Sequence, residues 1–147
     1  MASIFVNGVI GGSLFGAGDD DQGTTLADVR RQYQSFSNPG SLTVFIDSPG
    51  GDVDEGFAIH DFLRSLNIPI TTVGEGRIYS IATAIFLAGD VRLMSENASF
   101  MVHNPTTWSE GEAEDFERMG AELRRREQQL AEFYAKKTKK SKDEMLA

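Results

Sequence analysis

The sequence predicts a single α/β domain over residues 1–147, built on a mainly parallel sheet. Two observations carry that expectation. Short runs rich in β-branched and aromatic residues alternate with stretches of helical periodicity, and glycine- or proline-bearing turns separate them. A length of 147 residues suffices for one hydrophobic core.

In chain order, residues 3–10 (SIFVNGVI) form the first expected strand, since β-branched and aromatic side chains suit a pleated, half-buried surface. GGSLFGAGDDDQG follows as a loop. In TTLADVRRQYQSF, Leu26, Val29, Tyr33 and Phe36 recur at helical spacing, with Thr24 or Thr25 as the start signal and NPG at 38–40 as the stop. SLTVFID is a short buried strand that SPGGD breaks sharply. VDEGFAIHDFLRSL is the second helix, with Asp52, Asp54 and Glu55 near the positive end of its dipole. Asn67-Ile68-Pro69 turns the chain into the strand IPITTVG, and a third helix is expected from about Ser80 within GRIYSIATAIFLAGD. VRLMS and SFMVH are two further strands, separated by the turn Glu96-Asn97-Ala98.

A long helix is expected from Glu110 to about Lys137. Ser109 and Glu112 fit a capping box at its start, and Phe116, Met119, Leu123, Leu130 and Phe133 mark a buried stripe. Ser141 and Glu144 fit a second capping box opening a shorter helix. The long helix exceeds what one small domain readily buries, which points to oligomer contacts.

Charge and composition narrow the function. Fourteen basic against 22 acidic residues give a net charge of -8, which argues against a nucleic-acid or anionic-membrane binder. Lys136, Lys137, Lys139, Lys140 and Lys142 crowd the end of the chain, where they suit a solvated helix terminus. The absence of cysteine removes disulfides, thiol catalysis and cysteine-ligated metals, and it suits a reducing, cytoplasmic setting. No basic n-region precedes the N-terminal apolar residues, and the longest apolar run, 78–88, is about half a membrane span. A soluble chain is therefore expected. Two histidines far apart give no metal constellation, and no G-x-x-x-x-G-K loop is present, so no cofactor is expected and any ATP use belongs to a partner.

Three pieces carry chemistry. Ser80 opens an apolar helix, where by itself a serine would serve as a cap. Ser48-Pro49-Gly50-Gly51 lies between a strand and a helix; its proline fixes φ and its glycines open conformations closed to other residues. Such a turn either simply reverses the chain or leaves N–H groups pointing into a cleft, as an oxyanion hole requires. His103, in MVHNP, ends a strand at a sheet edge and is the better-placed base for a serine; His60 lies within an amphipathic helix and suits packing or solvation.

Strand–SPGG–helix, then G-x-x-x-S, then M-V-H-x-P, in this order and across nearly the whole chain, resembles the ClpP serine peptidase family. Within it the chain is most similar to the shorter phage-type members that mature capsids. The resemblance implies a ClpP/crotonase-like spiral of ββα units with a long C-terminal handle helix, assembled into homo-oligomeric rings. It implies Ser80 as nucleophile, His103 as general base, and the backbone N–H groups of Gly51 and Ile81 as oxyanion hole. Ser48, Pro49 and Gly50 would align an unfolded or flexible polypeptide substrate in extended form. Partners implied are an ATP-dependent unfoldase or capsid and scaffold proteins, in a bacterial cytosol or a phage-infected host.

The chain departs from that pattern in three places. Ile78 and Tyr79 stand where small residues are usual, consistent with a repacked wall or a narrowed pocket, repacking being favoured. Asp47 stands where asparagine is usual. The family's orienting aspartate lies beyond the short final helix, and the chain ends first, at Ala147; Asp143 and Glu144 precede that position and are not assigned. A chain lacking the family's C-terminal segment is therefore expected. Two other functions remain open on sequence: a crotonase-type acyl-CoA enzyme, and a non-catalytic ring-forming assembly module.

Overall fold

A computed structural model describes residues 1–12, 23–107 and 109–146. Most of the expected glycine- and aspartate-rich loop, residues 13–22, lies outside them. Packing divides the chain into two compact units, Met1–Val102 and His103–Ala147.

The first unit is a parallel sheet with helices α1 to α3. Its strands are β1 (Ala2–Asn7), β2 (Leu42–Ser48), β3 (Ile70–Tyr79), β4 (Val91–Met94) and β5 (Ser99–Met101). The order is β1-β2-β3-β4, with β5 also pairing to β3, and every pairing is parallel. The expected mainly parallel α/β architecture is thus observed. β3 is long enough to carry β4 on its first half and β5 on its last three residues.

Alternation within the strands separates two faces. Ile4, Val6, Val44, Ile46 and Thr72 are buried, because these even-numbered positions of the central strands share one side of the pleat. The opposite row runs Phe5, Phe45, Val73, Leu93 across four strands, with Phe5 and Phe45 stacked at 5.4 Å between centroids. Phe5 is 49% exposed, so this face is open in the single chain.

Helix α1 (Leu26–Gln34) starts at Thr25, whose side chain and that of Asp28 cap each other's backbone N–H groups. Helix α2 (Val53–Ser65) is capped by Asp52, whose carboxylate accepts the Glu55 N–H at 2.8 Å. Glu55 in turn accepts the Leu26 N–H at 2.7 Å, joining the starts of the two helices. Ile59 and Leu63 face the core, and Asn67 turns the chain out of α2 with φ of 53°. Helix α3 (Ala82–Phe86) is buried throughout, which explains the apolar run in the sequence.

The second unit holds α4 (Ala113–Lys137) and α5 (Lys142–Leu146). The start of α4 differs from expectation. The capping box is Glu112 with Asp115, not Ser109 with Glu112, and the helix begins at Ala113. Both pairs have the same spacing; the later one wins because the Asp115 carboxylate accepts the Glu112 N–H at 2.9 Å and also holds Arg118. The expected α4 stripe is also corrected. Leu130, Ala131 and Tyr134 are buried, whereas Phe116 is 53% exposed. Within its own unit α4 packs on α5, near its C-terminal end, where Lys142 meets Glu132 at 2.8 Å. The Ser141–Glu144 capping box forms as expected, with the Ser141 N–H donating to Glu144 at 2.7 Å.

Candidate active site

The turn after β2 is held from inside. Ser48 is fully buried; its hydroxyl donates to the Gly8 carbonyl at 2.7 Å and accepts the Gly50 N–H at 3.0 Å. Gly50 and Gly51 have φ of 98° and 153°, conformations that side chains strongly disfavour. Ile10 bridges the turn, donating to the Gly50 carbonyl and accepting the Asp52 N–H, both at 2.9 Å. That parallel bridge uses the groups flanking Gly51, and a Cβ on Gly51 would collide with the Ile10 carbonyl. The α2 cap follows at once.

Ser80 is not where a helix cap would be. β3 continues through Tyr79, Ser80 adopts φ of 54°, and Ile81 is the N-cap of α3, with no side-chain capping bond. The expected helix start at Ser80 is therefore corrected: the residue forms a sharp strand-to-helix turn. The turn is pinned at both ends. The Ser80 N–H donates to the Met101 carbonyl at 2.8 Å. Its carbonyl accepts the N–H of Thr83 at 3.0 Å and the Thr83 hydroxyl at 2.6 Å. Ile81, as N-cap, has an N–H that precedes the first intrahelical bond.

These two turns meet. A Cβ at Gly50 would lie 2.7 Å from the Cβ of Ser80 and 3.3 Å from its Oγ. Gly56 of α2 lies so close to the Ile81 side chain that a Cβ there would collide with it. Ser48, Pro49, Gly50, Gly51, Ser80 and Ile81 thus share one edge of the first unit.

His103 opens the second unit. It lies two residues beyond β5 rather than ending it, because β5 pairs only with Arg77–Tyr79 and β3 stops at the Ser80 turn. The side chain is exposed, and Nδ1 lies 2.6 Å from the Asn104 carbonyl. A carbonyl only accepts, so Nδ1–H is the donor in this contact. His60 is buried on α2, with Nδ1 3.0 Å from Asp61 Oδ1.

Two residues gain a part that sequence reasoning missed. Asp47 accepts the Arg77 N–H at 2.9 Å and the Arg77 Nε at 3.2 Å, across the end of β2 and β3. Their opposite charges on adjacent strands were the available signal. Of the two unusual residues before Ser80, Ile78 is fully buried and Tyr79 is half-buried. No group of three His, Asp or Glu side chains among the described residues is placed to hold a metal ion. No helix among them is long and apolar enough to cross a membrane.

The Clp protease family model matches residues 33–147, which include both turns and His103. The chain belongs to the Clp protease family. Within that family it is 33% identical over 114 residues to the ATP-dependent Clp protease proteolytic subunit 2 of Treponema pallidum, covering 76% of this chain and 57% of that one. It is 34% identical over 107 residues to the corresponding subunit of Treponema denticola, covering 71% and 54%. The chain therefore spans about half the length of the curated Clp relatives it matches. Its structure resembles a ClpP1 mutant from Listeria monocytogenes with a TM-score of 0.77 at 24% identity, over 98% of this chain and 76% of that one. That likeness establishes the ClpP-like fold.

Proposed function

We propose that the protein is a serine endopeptidase that cleaves unfolded or flexible polypeptide segments through an acyl-enzyme on Ser80. One observation carries this reading most directly: Ser80 occupies a positive-φ turn packed against Gly50 of the SPGG turn. A serine on a strand-to-helix turn is held on rigid elements with its hydroxyl at an edge, as a nucleophile requires.

In this mechanism Ser80 Oγ attacks the scissile carbonyl while His103 Nε2 takes its proton. The N–H groups of Gly51 and Ile81 stabilise the developing oxyanion; losing one such donor typically costs about 10²–10³ in rate. The amide C–N bond then breaks as His103 returns the proton to the leaving amine. Water, deprotonated by the same imidazole, hydrolyses the ester and regenerates Ser80. The Asn104 carbonyl on Nδ1 favours the tautomer that this sequence of transfers needs. Ser48, Pro49 and Gly50 set the edge along which an extended substrate lies.

The names of the relatives, proteolytic subunits of ATP-dependent Clp proteases, support delivery of substrate by an ATP-dependent unfoldase. Cleavage of capsid or scaffold segments in phage head maturation is the second role the same chemistry serves. A homo-oligomeric ring suits the exposed apolar residues of both units, Phe5, Leu93, Phe100 and Phe116 among them.

Labelling with a fluorophosphonate tests the proposal. Covalent modification at Ser80 is expected, absent in Ser80→Ala and slowed in His103→Ala. No labelling together with binding of CoA thioesters would instead assign a crotonase-type acyl-CoA enzyme. Rings that never label would assign an assembly module.

A further inference from the structure

The strand that delivers Ser80 is bulged. β2 and β3 pair residue for residue from Leu42 with Ile70 to Ile46 with Gly74, then resume at Ser48 with Ile78. Glu75, Gly76 and Arg77 therefore stand opposite Asp47 alone. A bulge leaves backbone groups without ladder partners and re-aims the strand beyond it. Here the Asp47 carboxylate fills the gap: Oδ1 accepts the Arg77 N–H at 2.9 Å and Nε at 3.2 Å. Gly76 lies close enough that a Cβ there would be 3.0 Å from the same oxygen. The Asp47 carbonyl accepts the Gly8 N–H at 3.1 Å, so one residue joins β1, β2 and β3. Across the bulge β3 exchanges its other neighbour, from Met94 of β4 opposite Gly74 to Ser99 of β5 opposite Arg77.

We propose that Asp47 and Arg77 are a positioning pair for Ser80. Their clasp fixes the offset of β3, and that offset decides where the Ser80 turn meets Gly50. Ser80 follows Arg77 by three residues, and a single register sets Tyr79 beside Met101 and the Ser80 N–H on the Met101 carbonyl. The Arg77 and Asp47 side chains are 50% and 42% exposed, so solvent screens the attraction between their charges. The constraint comes chiefly from the bond to the backbone N–H, which asparagine can also accept and alanine cannot. This inference rests on the peptidase reading of Ser80.

Three readouts on the full chain test it: the rate of fluorophosphonate labelling, kcat and KM on a flexible peptide, and hydrogen exchange along β3. Asp47→Ala is expected to slow labelling and lower kcat by about 10- to 100-fold, with KM little changed, because a small misplacement of a reacting atom costs rate rather than binding. Exchange should quicken over residues 76–80 and stay unchanged over 70–74. Asp47→Asn should restore most of the rate, and Arg77→Ala, which keeps its N–H, should lose less than Asp47→Ala. Wild-type labelling and exchange in Asp47→Ala, or no rescue by Asp47→Asn, overturns the proposal. Should Asp47→Ala fail to fold, Arg77→Ala must still quicken exchange over 76–80 and not over 70–74; uniform or absent quickening overturns the pair. A wild-type chain that never labels overturns the peptidase reading alone, and the exchange pattern still decides the clasp.

Discussion

Ser80 combines a strained backbone with hydrogen bonds that hold the strain in place. A non-glycine residue at positive φ costs on the order of 1–3 kcal/mol. Met101 and Thr83 hold that conformation through the Ser80 N–H and carbonyl. Ser80→Gly should accordingly be at least as stable as Ser80→Ala in thermal unfolding, despite the greater entropy of glycine in the unfolded chain. Gly50→Ala should act in the opposite sense. Its new Cβ would press on Ser80 and on the Tyr79 carbonyl 2.9 Å away, at a φ that alanine resists. A loss of about 1–3 kcal/mol in urea unfolding is expected, with slower labelling of Ser80. Sequence named both residues, but the positive φ of Ser80 was hidden. The apolar run after it reads equally well as a helix beginning at Ser80, two residues before the observed start.

At the scale of elements, local signals were legible wherever one residue had one plausible partner. Thr24 or Thr25 was the expected start of α1, and Thr25 with Asp28 is the box that forms. Hydrogen bonds from the Thr25 backbone and side chain, with Arg31 beside it, hold the Asp28 carboxyl below its usual 3.8. Because the folded value is the lower one, the stability Asp28 adds is whole above about pH 5 and is lost as pH falls through the folded value. Asp28→Asn should flatten that acid limb in a pH series of unfolding midpoints. Asp52→Ala removes the α2 cap and should cost about 0.5–2 kcal/mol, read from urea unfolding. At α4 two boxes of equal spacing compete, and only the Asp115 contacts choose between them. Nothing in the local sequence ranks the two.

The whole molecule leaves apolar surface uncovered in the single chain. The row from Phe5 to Leu93 is the outer face of a parallel sheet, a fold that ordinarily covers both faces, and Phe116 projects from α4. Native mass spectrometry should show a homo-oligomer, and Phe116→Glu should shift it toward smaller species while leaving the urea midpoint of the dissociated chain unchanged. An unaltered oligomer would remove α4 from that contact. The periodicity of α4 promised a continuous buried stripe, because spacing shows which residues share a face and not whether anything lies over it.

Sequence alone determined the alternation of strands and helices, the parallel sheet, and the SPGG, Ser80 and His103 pieces in family order. Those features rest on period, turn chemistry and composition, all of which act over a few residues. Tertiary structure decided that β3 runs on to Tyr79, that β5 stops before His103, and that Asp47 closes a bulge against Arg77. Each of these depends on a partner far along the chain: Met101 for the Ser80 turn, the length of β3 for β5, and Arg77 for Asp47. A strand ends where its neighbour ends, and a carboxylate takes the donor that the register places before it.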